Sequence, residues 1–292
     1  MKPQTALLTS HESLQHSQQV TGTPFNIGNG FKALSFKHEQ FEGLMDPLVM
    51  IDHYTMTSPT FGAHPHAGMS ALSILFEDSE GIFNNRDSLG NNIDLLPGDA
   101  YWLMAGSGAI HDEKPTNGSH THGLQIFVNL PQRHKYDAPT SKHVASHAIP
   151  VISGEGYRVR VVLGESNGTK GATSPALPFT ALDAYVEAGG AYTHEVSSDQ
   201  TLVIYAVSGD INISVDDQEI HLPEQRAIAI RVGSTAQPLH LVSPNKSHFV
   251  ILQGTPIREP FIQKGPFVMS NINELHQVTA AYEAGLLGSI SE

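Results

Sequence analysis

Ile93-Asp-Leu-Leu-Pro-Gly-Asp-Ala-Tyr-Trp-Leu-Met-Ala-Gly106-Ser107 returns without a gap, 127 residues further on, as Ile220-His-Leu-Pro-Glu-Gln-Arg-Ala-Ile-Ala-Ile-Arg-Val-Gly233-Ser234. Ile93, Leu95, Ala100, Gly106 and Ser107 meet identical residues at Ile220, Leu222, Ala227, Gly233 and Ser234, five of fifteen positions, and Leu103 meets an apolar Ile230. The expectation is a chain of 292 residues made of two similar halves, each large enough to bury a core of its own.

Around this repeat, 26 Gly and 18 Pro punctuate short runs rich in Val, Ile, Leu and aromatics. Leu48–Ile51, Leu72–Phe76, Ala100–Met104, Gly123–Leu130, Val159–Leu163, Leu202–Val207 and His248–Leu252 are bounded by Gly, Pro, Asn or Asp. Such a pattern predicts an all-β sandwich or barrel. The natural seam is the polar stretch Pro131–Pro150. The tail departs from the pattern. Asn271 followed by Glu274 resembles a capping box, and Leu275, Val278 and Tyr282 recur at helical spacing before Gly285, which predicts one amphipathic helix.

Twenty-nine acidic side chains against 16 Lys and Arg give a formal charge of −13. A nucleic-acid clamp needs a basic patch and is disfavoured. With no cysteine in the chain, disulfides, thiolate metal sites and cysteine nucleophiles are excluded, so any metal must be held by His and carboxylate. Ala6–Leu8 is too short for a signal-peptide core, and Leu202–Val207 falls far below the roughly 20 residues that cross a bilayer. A soluble, cytoplasmic protein is expected. Neither a phosphate-cradling glycine loop nor a GxSxG elbow occurs.

Chemistry concentrates in two pairs drawn from 17 histidines and the carboxylates. In Phe61-Gly-Ala-His64-Pro-His66-Ala-Gly68 the histidines stand at i and i+2, which a strand points to one face about 6.5 Å apart, so both can reach one ion. His111 and Glu113 repeat that spacing after a Gly-rich turn. If the two strands meet in a barrel, three imidazoles and a carboxylate converge and leave two positions of a six-coordinate ion open. That donor set suits Fe(II), Mn(II), Ni(II) or Cu(II). Asp112 should face away. His120 and His122 lie in a polar stretch, where His122 is expected to position a strand start or to steady a ligating histidine. Asn85–Asn91 reads as a hairpin loop. Leu72, Ile74, Trp102 and Phe127 are candidates for apolar walls of a ligand cavity, or for ordinary core.

The runs FGAHPHAG, RDSLGN, LLPGDAYWLMAGSGAIHDE, HGLQIFVNLP and GTPIREPFIQKGPFVMSNINEL resemble, in order and spacing, the pirin family of the cupin superfamily, over roughly Leu44 to Gly285. The resemblance implies an all-β protein of two tandem cupin (double-stranded β-helix) barrels with a C-terminal α-helix. It places the family's metal ligands on His64, His66, His111 and Glu113. The implied cofactor is one divalent transition metal, Fe(II) before Mn(II), Ni(II), Cu(II) or Zn(II). The expected division is a polar N-terminal segment (1–24), a metal-binding barrel (25–135), a linker (136–150), a second barrel with a degenerate site (151–258) and a helical extension (259–292). Ala67 and Met69 stand where the family usually has Arg and an aromatic. Ser70 stands where cupins commonly place an inward Glu, and Asn85 replaces a common His.

Some pirins resemble quercetin 2,3-dioxygenases, so the expected activity is ring opening of a flavonol or related enol with O2. A divalent ion and one carboxylate leave one positive charge, which a deprotonated 3-hydroxyl would neutralise. Glu113 is the expected general base. The alternative is a non-enzymatic, iron-bound redox sensor acting through protein partners. Direct contact with nucleic acid or membrane is not expected.

Overall fold

The repeat makes the same turn twice. In the computed structural model, which describes residues 14–290, Gly98 and Gln225 both take positive φ, +84° and +58°. Gly98 joins strands Asn92–Leu95 and Ala100–Met104, and Gln225 joins Gln218–Leu222 and Arg226–Arg231. The left-handed turn is shared although only the first half has the residue suited to it.

Each half is a cupin barrel of two sheets. In the first, the large sheet runs Thr140–Val144, Ala100–Met104, Met69–Leu75, Thr121–Asn129, Leu48–Met56, Phe31–Lys37, Thr23–Ile27. A four-stranded sheet of His64–His66, Ala109–Pro115, Phe83–Asp87 and Asn92–Leu95 faces it. The second half repeats this order with Arg226–Arg231, Thr201–Ser208, Ser247–Gly254, Phe179–Val186, Tyr157–Leu163 and Val151–Gly154, against Ala191–Val196, Gln237–Val242, Ile211–Val215 and Gln218–Leu222. Edge strands come from elsewhere in the chain. Thr140–Val144, within the seam, extends the first large sheet, whereas Gln15–His16 and Val20–Thr21 pair with Arg226–Arg231 of the second.

Period-two alternation decides which face each side chain joins. Leu72, Ile74, Trp102, Leu124 and Ile126 pack against Phe179, Ala181, Val203, Val250 and Leu252 in one core shared by the two large sheets, and Trp102 meets Phe179 edge-on at 5.5 Å. Leu72, Ile74 and Trp102 are therefore core between the barrels, not cavity wall. The same alternation puts Ser70 on their face, so its position is not the inward one. His122 also points to this interface. Its Nδ1 is 2.8 Å from Asp78 Oδ1 and its Nε2 is 2.7 Å from Nε2 of His53, whose Nδ1 is 2.5 Å from the Tyr205 hydroxyl. It steadies no candidate ligand.

The interiors differ. Val196, Ile213, Val215, Leu239 and Leu241 fill the second barrel. The first encloses a cavity of about 650 Å³. Gln263, Gly265 and Pro266 of the C-terminal hairpin Ile262–Lys264/Phe267–Met269 line it, and the helix Ile272–Glu283 packs on that hairpin. Asn271 caps the helix by accepting from the Glu274 backbone N–H at 3.0 Å, Leu275 and Val278 are buried, and Gly285 ends it at φ +72°. Tyr282, expected on the buried stripe, is 39% exposed, its ring set edge-to-face with Phe267 at 6.2 Å.

Candidate metal centre

Three of the four expected ligands converge. Antiparallel pairing sets His111 opposite His64 and Ala109 opposite His66, so all three imidazoles point inward. Nε2 of His111 lies 2.9 Å from Nε2 of His66 and 3.0 Å from Nε2 of His64. Two nitrogens each about 2.1 Å from one ion sit about 3.0–3.4 Å apart, so the spacing fits donors to one shared ion. Nδ1 of His64 donates to the Gly62 carbonyl at 2.9 Å, which turns a lone pair on Nε2 toward its neighbours.

Electrostatics keeps these rings ready for a cation. Burial, with His64 beside it, pushes His66 down to about 3. His111 falls well below the usual range through burial and the other two histidines, and His64 falls through burial. Neutral imidazoles do not make a ligand exchange its proton for the metal. Packed lone pairs repel one another, and a shared ion removes that repulsion.

Glu113 stands beside the group, outside the set whose donor atoms all lie within 4.8 Å of one another. Its Oε1 accepts from Ser73 Oγ at 2.7 Å, and its Oε2 is 3.9 Å from Nδ1 of His111, a buried atom with no hydrogen-bond partner among the described residues. Burial raises Glu113 to about 7, against the Ser73 hydrogen bond and with help from the Asp112 charge. Asp112 faces the other way, 2.8 Å from Arg86 and 2.9 Å from Lys114. Of Asn85–Asn91, only the end is a loop. Asn85 and Asp87 belong to strand Phe83–Asp87 and are buried inside, where Asp87 accepts from the Tyr101 hydroxyl and from Asn91.

Aromatic and thioether side chains line the rest of the cavity: Phe25, Phe31, Phe61, Phe83, Met50 and Met56, with Phe127 edge-on to His66 at 5.1 Å. Asp52, Tyr54 and Gln125 are polar members of the lining that the sequence reading missed. The alternation of Met50, Asp52, Tyr54 and Met56 was the available signal. In the second barrel the ladder that reads His64, His111, Asp87 in the first reads His194, Leu239, Val215. His194 is held by Ser166 and Gln253, and apolar side chains take the other places, so no such cluster forms there among the described residues.

A hollow, histidine-bearing barrel joined to a filled one defines a bicupin. The chain belongs to the pirin family: a Pirin model matches residues 8–128 and a Pirin C-terminal cupin domain model matches residues 181–288. Rat Pirin is 34% identical over 235 residues, covering 80% of each chain, and human Pirin is 34% identical over 234 residues with the same coverage. Among solved structures, a quercetin 2,3-dioxygenase from Acinetobacter baumannii superposes with a TM-score of 0.83 at 25% identity, covering 96% of this chain and 100% of that one. A bacterial pirin from Escherichia coli in complex with nickel(II) superposes with a TM-score of 0.62 at 16% identity, over 83% of this chain and 99% of that one, and shares the fold.

Proposed function

We propose that this pirin is a metal-dependent dioxygenase that opens quercetin-like flavonols or related enols with O2. The observation that carries the reading is the trio of neutral imidazoles, His66 and His111 buried and His64 half-buried, with Nε2 atoms 2.9 and 3.0 Å apart on the wall of an aromatic cavity. The likeness to the Acinetobacter quercetin dioxygenase supports it. His64, His66 and His111 would hold the ion, with Glu113 as the adjacent carboxylate. Fe(II) is the first choice, with Mn(II), Ni(II), Cu(II) and Zn(II) compatible with the donors. When bound, the ion supplies Lewis acidity toward the enol oxygen and open positions for ligands.

The protein's own groups do the rest. Glu113 accepts the 3-hydroxyl proton: its carboxyl is held by Ser73 beside the three imidazoles rather than among their donor atoms, which leaves an oxygen for that transfer. Ser73 keeps its carboxyl aimed, and the phenyl walls hold the substrate plane and exclude water. The test is O2 uptake with quercetin by anaerobically purified protein whose metal has been measured. Repeated turnovers at about one metal per chain support the reading. Metal-bound protein that stays inert with quercetin sinks it, and partner capture that differs between its oxidised and reduced forms would establish the redox-sensor alternative.

A further inference from the structure

Asp52 is an anomaly of the cavity. It is 9% exposed, and its Oδ1 has no hydrogen-bond partner among the described residues. Ser35, opposite it in the register, gives the carboxylate one hydrogen bond and Lys37 offsets part of the cost of its burial, but the unpartnered oxygen remains costly to bury. Strand Leu48–Met56 shows why the carboxylate faces the cavity: Met50, Asp52, Tyr54 and Met56, every second residue, all line it. The Tyr54 hydroxyl, also buried, has no partner among the described residues either.

The sheet register fixes where Asp52 lies relative to the histidines. Ser73, which holds Glu113, is opposite Gln125, and Gln125 is opposite Asp52. Two strand spacings, about 10 Å, therefore separate the residue that holds Glu113 from Asp52, with apolar side chains above and below the row. A ligand bridging the two ends is about two aromatic units long. A carboxylate accepts hydrogen bonds and donates none, so the far end of that ligand must carry a donor.

We propose that Asp52 determines specificity: its free oxygen accepts a hydrogen bond from a hydroxyl on the ring remote from the histidines, so the cavity selects elongated aromatics hydroxylated at both ends. This rests on the flavonol reading and narrows it. The test uses metal-loaded protein and three probes: 3-hydroxyflavone, the same molecule with a hydroxyl on its pendant ring, and the methyl ether of that hydroxyl. Equilibrium titration of the parent should show the hydroxylated probe bound about ten-fold or more tightly than its ether. In Asp52→Ala the ratio should collapse to about two-fold, and Asp52→Asn, which keeps an acceptor oxygen, should fall between. Without ligand, Asp52→Asn, which keeps an oxygen for Ser35, should melt no lower than the parent.

A ratio that survives in Asp52→Ala, or is absent from the parent, overturns the proposal. So does a lower melting temperature in Asp52→Asn, which would make the carboxylate a support of the fold. Probes bound with the expected preference but never consumed with O2 would remove the dioxygenase reading and keep this one. Failure of all three probes to bind removes the ligand class itself.

Discussion

Asp112 and Glu113 are adjacent, yet one is neutralised by Arg86 and Lys114 outside while the other is raised to about 7 inside. A strand's alternation makes that division, and it is why the spacing of His64, His66, His111 and Glu113 is legible in the sequence: a pair at i and i+2 must share a face. Single polar residues carried no such signal. Ser73, Asp52 and Gln125 reveal themselves only once three strands lie side by side, and Ser70 was misjudged because the face it joins depends on the second barrel. Glu113→Gln keeps the shape and the Ser73 contact but cannot take a proton. Turnover with quercetin should fall by about 10²–10⁴-fold while the circular dichroism spectrum stays that of the parent; oxygenase activity at the parental rate would remove the base assignment.

The C-terminal hairpin acts on the centre through one buried cation. Lys135 Nζ donates to the Gly68 carbonyl at 2.9 Å, to Asn129 Oδ1 at 2.6 Å and to the Val268 carbonyl at 2.8 Å. It thus clamps the turn just after His66 to the strand Phe267–Met269. Gly68 has φ +71°, and a Cβ there would lie 2.0 Å from the Val268 carbonyl oxygen, so the close approach requires glycine. Lys135→Met leaves three buried acceptors unpaired. Stability should drop by about 3 kcal/mol, read as a lower urea midpoint, and less metal should stay bound after dialysis; an unchanged midpoint and metal content would show that the clamp is idle. The helix was readable from its cap and its period, but the hairpin was not, because its partners, Ala67 through a bridge and Lys135, lie more than a hundred residues away.

At the scale of the molecule the two barrels are one cooperative body, since a single apolar core spans both large sheets. Trp102→Ala should cost about 3–5 kcal/mol and lower a single unfolding transition; two separate transitions in the parent would contradict a shared core. The same interface makes stability depend on pH. Burial, with His122 and His248 nearby, pushes His53 down to about 3, whereas an unfolded histidine titrates near 6.5. The unfolded chain therefore takes the proton first, so this contribution is complete above about pH 6.5 and shrinks as the pH falls toward 3. By pH 5 the loss is about 2 kcal/mol. In His53→Phe the urea midpoint should change less between pH 7.5 and 5 than in the parent, and equal changes would exclude His53 as the source.

Synthesis order meets an obstacle at the strand Gln15–His16. Ser17, next to this strand, and its bonding partner Ala229 are 212 positions apart, about 10–40 s of translation at 5–20 residues per second. Throughout that interval the nascent chain carries an unmatched β edge, because the strand that receives it has still to be made.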